Sequence, residues 1–487
     1  MKPFVYLVWF LLLLVSPLAT LLEANGAPPD HSASTQNSPT ESRPDCDKTP
    51  TLIYNNNNVK IYHNYDSSDD EEEAVIILRM RAPKGMGDAR LVCANEFIVY
   101  YLNDEILEMT ASAERMQKVL GDTGRLYVDI TRVGFSLNFD VSGKYSLVNK
   151  MLLKCLSIMD GELSAKRFAR VQKHLINKYA GAYALHARLR RQELLAEWAV
   201  WSLITSFGVD MGEMLENVKS MTLYELKSAA KTAREQFEIK GIVHGAIPHE
   251  PSLVLCRALD APARGNVRVD SGVPEPNILL QLRPGEEIVY TDTYVGFING
   301  CWQTYMVDQG RTGVMQILDE FIGNDSYAAK RSGRLPEQVP YRGQKNTKNN
   351  FSMIEFYAQS HSTQAEELRG LIEEYVAALK ERVASLGEAD MAKIKNEVLS
   401  RFSQPATFCS VKARRLFEII WEHDAQWDWR EQFAREIAAV SKEDLLKAVD
   451  EAFSRKTRRV VTVLMKPNTE MEAGEEIKKW KLERTYK

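Results

Sequence analysis

Residues 302–341 read WQTYMVDQGRTGVMQILDEFIGNDSYAAKRSGRLPEQVPY, and this stretch decides the fold. Trp302, Tyr305 and Val307 open it as a strand in a β-rich run. Val314, Ile317, Leu318 and Phe321 then fall at helical spacing and give one apolar face over 313–323. A basic loop follows with Lys330, Arg331 and Arg334, and after it come Glu337, Gln338 and Tyr341. A guanidinium fork and a phenol hydroxyl close together are directional donors suited to the backbone and terminal oxygens of a peptide. An ordinary charged surface loop is the competing reading, and local chemistry alone leaves both open.

Working outward, the same order of elements occurs twice. In the first copy, AVIILRM at 74–80 reads as a strand and Val92–Ser112 as a long helix. Arg125–Val141 alternates as a hairpin. Helices follow over 146–159, 163–179 and 188–207. Thr222 and Glu225 form a capping box for a helix to about Arg234, and Phe237–Ile247 closes the set as a strand. In the second copy, Asn277–Leu282 and Glu287–Val307 are strands, and Phe351–Gln359 is another. Gln364–Leu386, Ala389–Phe402 and Val411–Trp421 are helices. Ser441 and Asp444 cap a helix to Phe453, and RVVTVLM at 459–465 is the last strand. The two caps lie 219 residues apart (441 − 222). Phe168, Val171 and Leu175 match Met391, Ile394 and Val398 at an offset of 223 (391 − 168). Order and near-constant offset together predict two copies of one α+β domain.

Outside the copies the chain reads differently. Residues 1–27 carry Lys2, an apolar run from Phe4 to Leu22 and small residues at Ala24, Gly26 and Ala27, the pattern of a secretory signal peptide. An uncleaved anchor is the alternative reading of the run. Residues 28–73 read as a disordered and edge segment; its acidic run Asp66–Glu73 reads as a solvated loop, with a cation site as the alternative. The expected division is then 74–250 for the first domain, 251–275 for a linker, 276–467 for the second domain and 468–487 for a charged tail.

The net charge of −4 gives no reason to expect nucleic-acid binding. No later stretch is long and apolar enough to span a membrane. The six cysteines show no C-x-x-C and no metal spacing, so buried thiols or one or two incidental bridges are expected. Sequons stand at Asn324 and Asn350. None of the eight histidines sits in H-E-x-x-H or H-x-x-E-H. The nearest approach, HGAIPHE at 244–250, places its histidines five apart at a strand end, which reads as a strand-end and a loop histidine. There is no G-x-S-x-G elbow, P-loop or G-x-G-x-x-G.

The chain resembles the non-catalytic, C-terminal half of the pitrilysin/insulinase (insulin-degrading enzyme) family of zinc metallopeptidases. In the first copy the resemblance is carried by YYLNDEIL at 100–107, Gly124-Arg125-Leu126-Tyr127, Val141-Ser142-Gly143 with Tyr145, Glu162–Tyr179 and Val243-His244-Gly245. In the second it is carried by Gly300–Gly323, Tyr327–Arg331, Glu337-Gln338 with Tyr341, Gln359-Ser360 and Phe417–Ile420. It covers about residues 74–467.

This resemblance implies two tandem insulinase-like α+β domains, each an antiparallel-rich sheet covered on one face by helices. It implies a chain that binds a peptide substrate and is not catalytic alone, and the signal-peptide pattern adds that it is secreted. No cofactor is expected on the chain, since the family's zinc is held by H-x-x-E-H and a distal Glu of the catalytic half, here expected in a separate partner subunit. The family's motif places an Arg seven positions before a Tyr, which selects Arg334 and Tyr341 (341 − 334 = 7). Read forward from the helix, Arg331 is the match and three residues are extra. Pro340 stands where the family has a small residue. A peptidase-derived peptide- or protein-binding protein with no peptidase partner is the alternative that the resemblance leaves open.

Overall fold

The computed structural model describes residues 49–56, 58–66, 73–83, 89–120, 126–133, 135–188, 196, 199–200, 203, 211–260, 282–294, 298–307, 312–331, 341–346, 352–403, 406 and 408–467. The first half runs β1 (Thr51–Asn56), β2 (Val59–Tyr65), β3 (Glu73–Arg81), α1 (Ala89–Leu120), β4 (Leu126–Val133), β5 (Ser136–Lys144), α2 (Tyr145–Met159) and α3 (Ala165–Arg188). It continues with α4 (Met211–Ser220), α5 (Leu223–Gln236), β6 (Glu238–Gly245) and α6 (His249–Leu259). The second half runs β7 (Glu287–Tyr294), β8 (Asn299–Val307), α7 (Gly313–Arg331), β9 (Tyr341–Asn346), β10 (Ser352–Ser360), α8 (Ala365–Ala377) and α9 (Leu379–Ala384). Then come α10 (Glu388–Ser403), α11 (Cys409–Glu422), α12 (Trp429–Ala439), α13 (Lys442–Phe453) and β11 (Arg459–Pro467).

The strand orders are β1-β2-β6-β3-β5-β4 and β7-β11-β8-β10-β9. Leaving out β1, these are one permutation written twice. The closing strand of each half inserts beside the first strand in parallel, β6 on β2 and β11 on β7. The other pairings are antiparallel. Both helix caps form as the spacing predicts. The Thr222 hydroxyl accepts from the Glu225 amide while the Glu225 carboxylate accepts from the Thr222 amide. Ser441 and Asp444 repeat the exchange. α3 and α10 begin 223 residues apart (388 − 165).

Period-two alternation sorts each sheet into two faces. On β3, Ala74, Ile76, Leu78 and Met80 enter the core beneath α1 and α2, together with Leu137, Phe139 and Val141 of β5. Val75 and Ile77 point the other way. That face is not left to solvent, as a sheet covered on one side would be. It is covered by α11 of the second half, whose Cys409, Ala413, Phe417, Ile420 and Trp421 form a buried cluster with Val75, Ile77 and Ile242. The second sheet divides likewise: Cys301, Tyr305 and Val307 of β8 face their own helices. Trp302 and Met306 instead join the first half's core, which also holds Ala196, Ala199 and Val200.

Several local expectations change. Residues 51–65 are two strands, with β2 paired on both sides, so ordered sheet begins before Ala74. Asp66 is buried and ion-paired to Lys412, unlike a residue of a solvated loop. The expected linker begins inside a helix, since residues 249–259 are α6; Pro251 sits in its first turn, where a missing amide costs nothing. The helix expected over Gln364–Leu386 breaks at Ala378 into α8 and α9. The strand expected over 277–282 lies almost wholly outside the described residues, as does most of the helix expected over 188–207. Among the described residues no helix is long and apolar enough to cross a membrane.

Candidate functional site

Helix α7 follows β8 and precedes β9 in the chain. Met315, Ile317, Leu318 and Ile322 of this helix are fully buried against the second sheet. Its start is fixed by close approach to α12: a Cβ on Gly313 would meet the Ile437 amide nitrogen at 3.0 Å. The Gly313 amide donates to Glu436 Oε1 at 2.8 Å. Thr312 Oγ1 accepts from the Met315 amide and closes the first turn.

The helix runs to Arg331, eight residues past the expected end. Arg331 therefore stands at a helix C-terminus, where the peptide dipoles favour a cation, and not in the loop. Tyr341 opens β9, the edge strand of the second sheet. It lies opposite Phe356, beside a register shift between Glu355 and Phe356. Arg334 lies outside the described residues, as do Glu337 and Gln338. Helix α7 lies against β9, the edge strand that Tyr341 opens.

One buried acid near Tyr341 escaped the sequence reading. Glu355 is fully enclosed on β10, between Thr304 of β8 and Gly343 of β9. Its signal was a single carboxylate in the otherwise apolar run SMIEFYA. On the same face, Trp302 Nε1 donates to Thr304 Oγ1 at 3.2 Å, and the Trp302 and Tyr357 rings lie 5.4 Å apart.

A second polar cluster is buried in the first half. Glu96 of α1 accepts from Lys178 of α3 at 2.6 Å and from Arg132 of β4 at 2.9 Å. Burial alone would raise the Glu96 carboxyl, but the two cations outweigh it and hold the group at about 2. A carboxylate held that low is a structural anion and a poor proton acceptor near neutral pH. Burial pushes the Cys93, Cys155 and Cys256 thiols up to about 12, and Cys301 higher still, so none is a ready nucleophile. His63 and His174 are held below the ordinary histidine range, in each case chiefly by burial. Among the described residues no three His, Cys, Asp or Glu side chains group so as to hold a metal ion. Of the two sequons, Asn324 is on α7 and donates to Glu320 and Glu397; Asn350 lies outside the described residues.

No family model and no curated protein matches the chain. Solved structures do. The chain is similar to pitrilysin with a TM-score of 0.64 and 14% identity, over 87% of this chain and 44% of that one. A protease from Helicobacter pylori matches with a TM-score of 0.62 and 11% identity, over 86% of this chain and 100% of its own. A peptidase M16 inactive domain from Pseudomonas fluorescens matches with a TM-score of 0.61 and 10% identity, over 86% and 98%. The chain has the α+β fold of the pitrilysin/insulinase-like M16 peptidases. It spans less than half the length of the pitrilysin chain.

Proposed function

We propose that this chain is the non-catalytic, substrate-binding half of an insulinase-type zinc metallopeptidase, acting in the secretory pathway or outside the cell with a separate zinc-bearing half in the cleavage of peptides. The likeness extends to 98% of an M16 inactive domain and to 100% of a protease chain, against 44% of pitrilysin, so the observation that supports a non-catalytic half is the missing zinc motif. Without H-x-x-E-H the chain has no recognised means of generating a metal-bound hydroxide. The two homologous domains are 74–250 and 276–467, the first extended by β1, β2 and α6.

In this reading Arg334 and Tyr341 bind the peptide, with Arg331 as the other candidate for the guanidinium, and steady developing charge on the carbonyl oxygen. The position of Tyr341 favours that role, since an edge strand leaves backbone donors and acceptors beside it for an extended ligand. Zinc belongs to the partner half. Native isolation of the chain, with identification of what accompanies it, is the test. A peptidase-derived binding protein would come alone or with a partner lacking the zinc motif.

A further inference from the structure

The strand-end histidine that no motif absorbs lies at the seam between the two halves. His244 is on β6 and is fully enclosed. Its Nε2 is 3.9 Å from Asp66 Oδ2. Lys412 Nζ is 2.5 Å from the same oxygen. Asp66 follows β2 in the first half, whereas Lys412 is in the first turn of α11 in the second. Each packed element contributes a defined group: Asp66, His63 and the Asn64 backbone come from the β2 side, and Lys412 from α11. From β3, the residue paired with His244 is the uncharged Val75.

The other end of α11 is tied across the same seam. Asp424 and Ala425 follow the helix with φ of 46° and 61°, a turn closed by the Ala425 amide donating to the Ile419 carbonyl at 3.0 Å. Beyond that cap stand the Asp424 to Lys240 ion pair at 2.9 Å and the edge contact of Trp427 with Tyr62. Both cross to the first half.

We propose that α11 is an acid-releasable clasp between the two halves, with His244 as its trigger. In the closed seam the imidazole is neutral. A proton taken up there would set a second cation beside Lys412 in a site closed to water, and the single carboxylate of Asp66, already paired to Lys412, offsets burial and that repulsion only in part. Lifting α11 hydrates both groups, so solvent protons bind the open form better and draw the equilibrium towards it. Burial and then Lys412 hold the closed imidazole at about 4, against about 6.5 when hydrated. The closed seam therefore has its full stability above 6.5 and loses it as pH falls towards 4. Opening should rise about 30-fold between pH 7.5 and pH 5. The inference rests on the seam alone and stands whether or not the chain binds peptides.

Hydrogen exchange on the full chain at pH 7.5 and 5.0, corrected for intrinsic rates, tests it. Protection of the α11 amides should fall about 30-fold, while α5 and α13 keep theirs. In His244→Phe the α11 fall should vanish. Should that variant not fold, the imidazole titration of His244 followed by NMR in the wild type decides, with a midpoint near 4 expected. The proposal is overturned by unchanged α11 protection, by equal loss throughout the chain, by a fall that persists in His244→Phe, or by a His244 midpoint near 6.5.

Discussion

Lys178 Nζ lies 2.6 Å from Glu96 Oε1, and the same tie recurs in the second half, where Arg401 reaches Glu320 Oε2 at 2.5 Å. The acids stand 224 residues apart (320 − 96) and the bases 223 (401 − 178), matching the 223-residue offset between the starts of α3 and α10. In each half the first long helix is thus pinned to a later one by an ion pair at an equivalent place. The copies differ in surroundings. Glu96 has a second cation in Arg132, whereas Arg401 is mostly exposed.

That difference predicts unequal costs. Glu96→Ala takes the shared buried acid from two partly buried cations and should destabilise the chain by about 3 kcal/mol. Glu320→Ala releases an arginine that already meets water and should cost about 1 kcal/mol. Urea unfolding of both variants checks this; equal losses would contradict it.

Acid should find the same group. A carboxyl held at about 2 in the fold, against 4.5 for the free group, contributes stability that is complete above 4.5 and is lost as pH falls towards 2. The loss is on the order of 3 kcal/mol. Glu96→Gln should start less stable and show a shallower decline over that window. A parallel decline in both proteins would show that other groups govern it.

The seam carries its own prediction. Trp421 of α11 sits under Arg79 at 4.5 Å, Arg81 at 5.2 Å and Lys240 at 5.8 Å, and is almost fully buried. Trp421→Ala removes a large apolar side chain and the ring face that these cations share. It should cost about 3–5 kcal/mol. Trp421→Phe keeps a ring and should retain most of the stability. A change below about 1 kcal/mol for the alanine variant would mean that α11 docks by other contacts.

If the substrate site is as proposed, Arg334→Ala and Tyr341→Phe should each lower peptide cleavage by the reconstituted pair on the order of 100-fold. Their unfolding midpoints should stay unchanged. Arg331→Ala separates the two arginines, since only the functional one should match that loss. Unaltered turnover in all three variants would remove the assignment.

Much of this fold was legible because its signals are local. The Thr222 and Ser441 boxes announce helix starts with their own side chains. AVIILRM declares a strand buried on both faces by having almost no polar position. What was missed depends on distant partners. YRGQKN at 341–346 has no alternation and becomes strand β9 because β10 offers it hydrogen bonds. The 51–65 strands look polar, with four asparagines in a row from Asn55 to Asn58, yet β2 is needed to pair β6. Docking of α11 on the opposite half leaves no mark in its own periodicity, since Phe417 and Trp421 would read the same under any sheet. Of the candidate site, the order of elements was legible and the end of α7 was not. Nothing in YAAKR marks Arg331 as the final helical turn, because all five residues are compatible with helix or loop.

The central claim is that this chain works as one half of a two-part peptidase. Its most direct test is isolation of the full chain under native conditions, with mass spectrometry of whatever accompanies it. The account predicts a stoichiometric partner containing H-x-x-E-H, and zinc-dependent peptide cleavage by the pair. A well-folded chain that repeatedly emerges without such a partner would contradict it and leave a peptidase-derived binding protein.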